Sequence, residues 1–133
     1  MKTNKTYYFI ALTLFAIAII GAVVNSIINY DLVALKLKSL GYPVYLISVI
    51  GTAQVLGLIL MITKPNKWLV EWAYAGFFIN FTFGIIAHLL AKDGNGATAV
   101  FVFIILLVTY FFEKKVRHDK KFQKKEVKLT LSK

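Results

Sequence analysis

Hydrophobic positions run through this chain in four long blocks that are almost free of charge. As helices, the first three are long enough to cross about 30 Å of hydrocarbon, which takes about 20 mostly apolar residues. The fourth is shorter, and a continuation of the helix from Tyr110 to Val116 would complete the span. The pattern predicts an all-α integral membrane protein, a bundle of four transmembrane helices over residues 7–28, 43–63, 68–91 and 97–112.

The segments between the blocks carry turn and helix signals. Asn29–Tyr42 is leucine-rich, which predicts a short interfacial helix, with a solvated loop as the alternative. We expect Gly41 to end that helix and Pro43 to occupy the first turn of the second span. Tight turns are predicted at Lys64–Lys67 and Lys92–Gly96. Short connections make consecutive helices antiparallel neighbours.

Basic residues are distributed unevenly between the two ends of this bundle. With four spans, 13 of the 16 Lys and Arg residues fall on the side that carries both termini. Basic residues favour the cytoplasmic side of a membrane. The sequence therefore predicts a multi-pass protein of the plasma (inner) membrane with both termini in the cytoplasm. Residues 1–112 form the transmembrane domain, and residues 113–133 form a basic cytoplasmic tail.

Composition excludes several classes of function. Hydrophobic residues make up 59% of the chain, against about 45–50% in soluble domains. The chain has no cysteine, which rules out thiol–disulfide chemistry and cysteine-ligated metal sites. A net charge of +10 beside a membrane segment favours lipid contact over nucleic-acid binding. The spans contain no catalytic constellation and no set of metal ligands, which argues against an enzyme.

Polar residues inside the spans are the candidates for function, because such groups are costly in hydrocarbon unless they are paired. On the third span, Gly76, Asn80, Gly84 and His88 recur every four residues and so share one face. Gln54 lies at the same depth on the second span. We predict a ligand-binding site in the leaflet on the side away from the termini, formed by His88, Asn80, Gln54, Asn25, Phe77 and Phe81.

The alternative for Gln54 and Asn80 is helix packing, that for His88 is a hydrated position at the membrane interface, and that for Asn25 is capping of the first helix. A hydrogen bond between Gln54 and Asn80 would join the second and third spans, and small residues let neighbouring helices approach closely. The glycines expected to serve this packing are Gly51, Gly57, Gly76 and Gly84. Glu71 lies one turn into the third span, where the helix dipole alone explains a carboxylate, and an ion pair with Lys64 or Lys67 is the alternative.

The tail is strongly basic, with nine Lys or Arg residues after Phe112. Basic side chains next to a membrane segment attract anionic lipid headgroups. Orientation of the bundle explains this charge without a further role. The residues expected to contact anionic lipid are Lys114, Lys115, Arg117, Lys120 and Lys121.

Three strings together resemble the DoxX-like family of small four-helix membrane proteins. They are the third span from Glu71 to His88, LeuGlyTyrPro followed by Tyr at Leu40–Tyr45, and the Gly-rich stretch at Gly51–Gly57. The family often has Lys at the position of Gln54 and Asp at that of Asn80. By that pattern this chain replaces an ion pair with two amides, which keeps a hydrogen bond and removes the charges. His88 matches the family residue.

The resemblance implies a role in quinone-linked redox systems, since some relatives are small subunits of such oxidoreductases. The leading hypothesis is a non-catalytic accessory protein that binds a lipophilic small molecule such as a quinone, with membrane lipids and a membrane oxidoreductase subunit as partners. No other cofactor, no metal and no nucleic acid is predicted. The alternatives are a transporter of a small lipophilic solute and a structural partner of other membrane proteins. Association of the chain with copies of itself is left open.

Overall fold

The structure is a computed structural model, which describes residues 2–92 and 96–131. These residues fold as α-helices joined by short connections, and the described part of the chain contains no strand. Four of the helices are long and apolar enough to cross a membrane, which confirms the all-helical class and the four apolar segments. The helices are α1 (Lys2–Ile28), α2 (Tyr30–Ser39), α3 (Leu46–Thr63), α4 (Lys67–Ala91) and α5 (Gly96–Thr130).

The connection between the first two long helices contains the predicted short helix, α2. Gly41 ends it with a positive φ of 80°. The Tyr42 N–H donates to the Leu37 carbonyl and the Gly41 N–H to the Lys38 carbonyl, both at 3.0 Å. This pair of bonds is the Schellman arrangement, which a glycine adopts without strain.

The prediction that Pro43 lies in the first turn of the second span was wrong. α3 begins at Leu46, and the residues before it form a separate turn, in which the Leu46 N–H donates to the Pro43 carbonyl at 3.2 Å.

α4 begins as a capped helix. The Asn66 side-chain oxygen accepts a bond of 2.9 Å from the Leu69 N–H, which satisfies one of the free donors of the first turn.

α5 does not end where the hydrophobic block ends. It continues without a break through the basic segment to Thr130. Residues 113–130 contain no glycine or proline and many Lys, Glu and Gln, which are good helix formers. The fall in hydropathy after Phe112 therefore marks the change from an apolar to a polar helix surface, and the helix itself continues to Thr130.

The four long helices form a closed ring in which α1 contacts α3 and α5, and α4 contacts α3 and α5. One end, called here the basic end, brings together the start of α1, the α3–α4 turn and residues 113–119 of α5. The Asn4 side chain donates to Asp119 at 3.3 Å there. The opposite end carries α2, His88 and the start of α5.

The buried core occupies only half of this ring. In its centre, the Phe15 and Phe77 rings meet edge to face with centroids 5.0 Å apart. Among the described residues, every buried side chain of the four long helices lies in the half nearer the basic end, within residues 8–19, 58–61, 70–77 and 106–113. The half toward the opposite end is loosely packed, and this is where the larger cavities of the bundle lie.

Candidate functional site

A groove runs between α3 and α4 from the level of Leu60 and Trp72, in the half nearer the basic end, to the opposite end. Its inner part has a volume of about 310 Å³ and contains Gln54, Trp72 and Asn80 in its lining. Its outer part has a volume of about 440 Å³ and contains Asn80 and His88. The two parts share Ile50, Gly76 and Asn80, so we treat them as one feature, the α3–α4 groove.

Three of the predicted ligand-binding residues thus line a single groove. Asn80 and His88 are brought there by their spacing on α4, two turns apart on one helix face. Both are half-buried, as is Gln54 on α3. Within the described part of the chain no hydrogen bond joins Gln54 to Asn80, so the amide pairing expected from the sequence is not formed. The Asn80 amide lies instead where the inner and outer parts of the groove meet.

α2 and apolar side chains form the remaining walls of the groove. At the opposite end the groove is lined by α2 and the turn after it, through Leu37, Leu40 and Tyr42. Phe83, Ile79 and Leu46 line its sides. The short helix predicted as an interfacial element is therefore part of the site. The lining combines a large apolar surface with a few amide and imidazole groups, which is the usual composition of a small-molecule site.

Of the other three predicted site residues, only Phe77 reaches the groove. Asn25 is exposed on α1, where its side chain accepts a 2.8 Å bond from the Asn29 amide. Phe77 lines the inner end of the groove but is itself a core residue, 3% exposed. Phe81 packs on Phe15 and Phe77 and is absent from the groove lining.

The glycines play two different roles. A Cβ atom added at Gly57 would lie 2.8 Å from Cε2 of Phe77, so this glycine permits close packing of α3 on α4. At Gly51, Gly76 and Gly84 nothing lies within 4 Å of such an atom. Within the chain, therefore, only Gly57 serves the packing expected of all four. Gly76 and Gly84 line the groove and leave space in it.

A network of charged side chains at the basic end was missed from the sequence. Glu71 on α4 accepts bonds from the Arg117 guanidinium at 2.6 Å, the Lys114 ammonium at 2.7 Å and the Tyr110 hydroxyl at 3.0 Å. Arg117 also holds Glu113 through two bonds, of 2.6 and 3.1 Å. The Glu113 side chain is only 5% exposed.

Glu71 thus pairs with residues of α5, and the alternative of an ion pair with Lys64 or Lys67 is not formed among the described residues. The signal in the sequence is the spacing of Leu106, Thr109 and Glu113, all buried, which continues one helix face past the end of the hydrophobic block. Lys64 instead lies with its ammonium 4.0 Å from the Tyr8 ring centroid and 4.0 Å from Glu113. Burial lowers the pKa of Lys64, and the charge of Glu113 opposes that shift.

Two tyrosine hydroxyls are buried beside this network. Tyr8 and Tyr74 are 1% and 4% exposed, and neither hydroxyl has a hydrogen-bond partner among the described residues. Buried polar groups without partners are costly, so these two mark a point of local strain in the core. Neither tyrosine is part of the α3–α4 groove lining.

Comparison with known proteins gives one match. The family model of the DoxX-like family matches residues 9–111, which include all of α3 and α4 and most of the apolar parts of α1 and α5. No curated protein and no solved structure matches the chain.

Proposed function

The chain belongs to the DoxX-like family, and from that premise we propose that it is a non-catalytic protein of the plasma membrane that holds a lipophilic small molecule in the α3–α4 groove. A quinone, with an apolar body and two carbonyl oxygens, has the chemistry that this lining would recognise. The protein would then serve as an accessory to a membrane redox system. The observation that carries the proposal is the Asn80 amide, which lines the groove without a hydrogen bond to any described residue.

The dimensions of the groove support this assignment. Small-molecule sites usually have volumes of about 300–1,000 Å³, and the outer part of the groove alone has about 440 Å³. A polar group at membrane depth is costly without a partner, and the NH₂ of Asn80 would gain one from a ligand carbonyl. The apolar walls of the groove would pack against the apolar body of a ligand that enters from the bilayer.

Replacing Asn80 with leucine is expected to weaken quinone binding by about two- to tenfold, since one hydrogen bond contributes about 0.5–1.5 kcal/mol. His88→Ala should lower occupancy similarly, without unfolding the bundle. Trp72 lines the inner part of the groove, so bound quinone should quench its fluorescence. The measurement is a titration with a short-chain naphthoquinone in detergent micelles, on a Trp68→Phe background that leaves Trp72 as the reporter.

The matched control is Thr82→Val. Thr82 lies two residues from Asn80 on the same helix, is not part of the groove lining, and donates its hydroxyl to the Phe78 carbonyl at 2.7 Å. This variant should bind the quinone like the wild type. If the Asn80 and His88 variants gave the same quenching curves as the wild type, the quinone would not bind in the α3–α4 groove.

The proposed orientation places the basic end in the cytoplasm. Because the chain has no cysteine, single cysteines report their own accessibility. Ser39→Cys, in α2, is expected to react with a membrane-impermeant maleimide on intact cells. Lys124→Cys, in α5, should react only after the membrane is opened. The reverse labelling pattern would invert the orientation.

A further inference from the structure

A second groove lies on a different face of the bundle, between α4 and α5 at the basic end. Its inner part is an apolar crevice of about 310 Å³, lined by Tyr74, Ala75, Phe78, Leu106 and Leu107, with Glu71 and Tyr110. Beside it lies an open bowl of about 420 Å³ that is lined almost entirely by basic side chains: Lys67, Lys114, Lys115, Arg117, His118 and Lys121, with Phe111.

The crevice and the bowl are adjacent cavities between α4 and α5, which follow one another along both helices. On α4 the lining positions Lys67, Glu71, Tyr74 and Phe78 follow helical spacing along one face. The Glu71 carboxylate lies in the crevice lining, and it is bonded directly to Lys114 and Arg117 of the bowl. At the inner end the Phe78 and Phe103 rings are in contact, with centroids 5.2 Å apart.

The charges in the bowl fall into two groups. Lys114 and Arg117 are committed to Glu71 and Glu113, so the carboxylate at the junction of crevice and bowl is already neutralised. Lys67, Lys115 and Lys121 form no ion pair within residues 2–92 and 96–131, and all three are exposed. The bowl therefore presents an excess of positive charge at the mouth of an apolar crevice.

We propose that this groove is a binding site for one anionic phospholipid, with an acyl chain in the α4–α5 crevice and the phosphodiester headgroup on Lys67, Lys115 and Lys121. Charge complementarity and the junction of apolar and basic surfaces carry the assignment. The site differs from a diffuse attraction of the basic tail to the membrane. Two of the tail residues expected from the sequence to contact lipid do not contribute to this headgroup site. Lys120 lies outside the bowl lining, and the charge of Arg117 is used in ion pairs with Glu71 and Glu113.

The test compares two triple variants that remove the same charge. Lys67→Gln/Lys115→Gln/Lys121→Gln removes the ammonium groups of the bowl. Lys124→Gln/Lys125→Gln/Lys128→Gln removes three exposed lysines farther along α5. Each protein is purified from micelles that contain equal amounts of phosphatidylglycerol and phosphatidylcholine, and the lipids retained per protomer are counted by native mass spectrometry.

The wild type should retain one phosphatidylglycerol in preference to phosphatidylcholine. The bowl triple should lose this preference, with retention falling by about tenfold or more, while the control triple stays within about twofold of the wild type. Equal losses in the two triples would show diffuse attraction and overturn the proposal, as would an unchanged bowl triple. All six substituted residues are exposed, and circular dichroism verifies that each variant is folded.

A third variant separates the acyl-chain contact from the headgroup contact. Ala75→Phe adds a ring to the crevice at an exposed position and leaves the bowl lysines in place. It should abolish retention of phosphatidylglycerol. Retention at the wild-type level would show that the headgroup alone binds, as a free phosphodiester or phosphate would, and would overturn the proposed lipid site.

Discussion

Replacing Arg117 with methionine should destabilise the bundle by about 3–5 kcal/mol, the range for breaking a buried ion pair by removal of one partner. Arg117 bridges two helices, with 2.6 Å bonds to Glu71 of α4 and to Glu113 of its own helix. Methionine would leave the Glu113 carboxylate in the core with Lys64, at 4.0 Å, as its one remaining ion-pair partner among residues 2–92 and 96–131. The free energy of unfolding, measured in mixed micelles by SDS titration and circular dichroism, should fall accordingly.

Two further variants test whether the loss of stability comes from the unpaired Glu113 carboxylate. Lys124→Met removes an exposed charge from the same helix and should change the free energy of unfolding by no more than about 0.5 kcal/mol. Glu113→Gln combined with Arg117→Met removes the stranded charge and should recover most of the loss, because residues of one ion-pair network are coupled. Wild-type stability in Arg117→Met would mean that the Glu113 carboxylate is hydrated.

The four long helices were predictable because an uninterrupted apolar block has the length that a membrane-spanning helix requires. The uncharged blocks identify α1, α3 and α4 to within a few residues, and the leucine spacing before Gly41 identifies α2. The end of α5 could not be found in this way. After Phe112 the sequence becomes polar, so hydropathy gives no further signal, although local helix propensity continues to Thr130.

The candidate site was predictable only in part, for a similar reason. The four-residue spacing placed Asn80 and His88 on one helix face, and equal depth brought Gln54 to the same groove. Spacing could not show that Gln54 and Asn80 line a cavity between the two helices, and so it predicted an amide hydrogen bond that is not formed among the described residues. The spacing of Leu106, Thr109 and Glu113 indicates that Glu113 lies on the buried face of α5, but this spacing does not identify Arg117 and Glu71 as the partners in the network.

Gly57→Val is expected to destabilise the bundle by about 1–3 kcal/mol, the usual cost of overpacking a filled core. Valine would place a Cβ atom 2.8 Å from Cε2 and 3.3 Å from Cζ of Phe77. The Phe77 ring is 3% exposed and is held between Phe15 and Phe81, so it cannot move away freely. SDS titration measures the loss.

A comparison of glycines tests whether this loss comes from packing. Gly76→Ala introduces a Cβ atom into open space on α4, and alanine favours a helix over glycine by up to about 1 kcal/mol. Its stability should match or exceed that of the wild type. Adding Phe77→Leu to Gly57→Val should recover part of the lost stability, because the smaller side chain leaves room for valine. If Gly57→Val and Gly76→Ala behaved alike, the close approach of α3 and α4 at Gly57 would be absent, and the inner end of the α3–α4 groove would lose the wall that Phe77 provides.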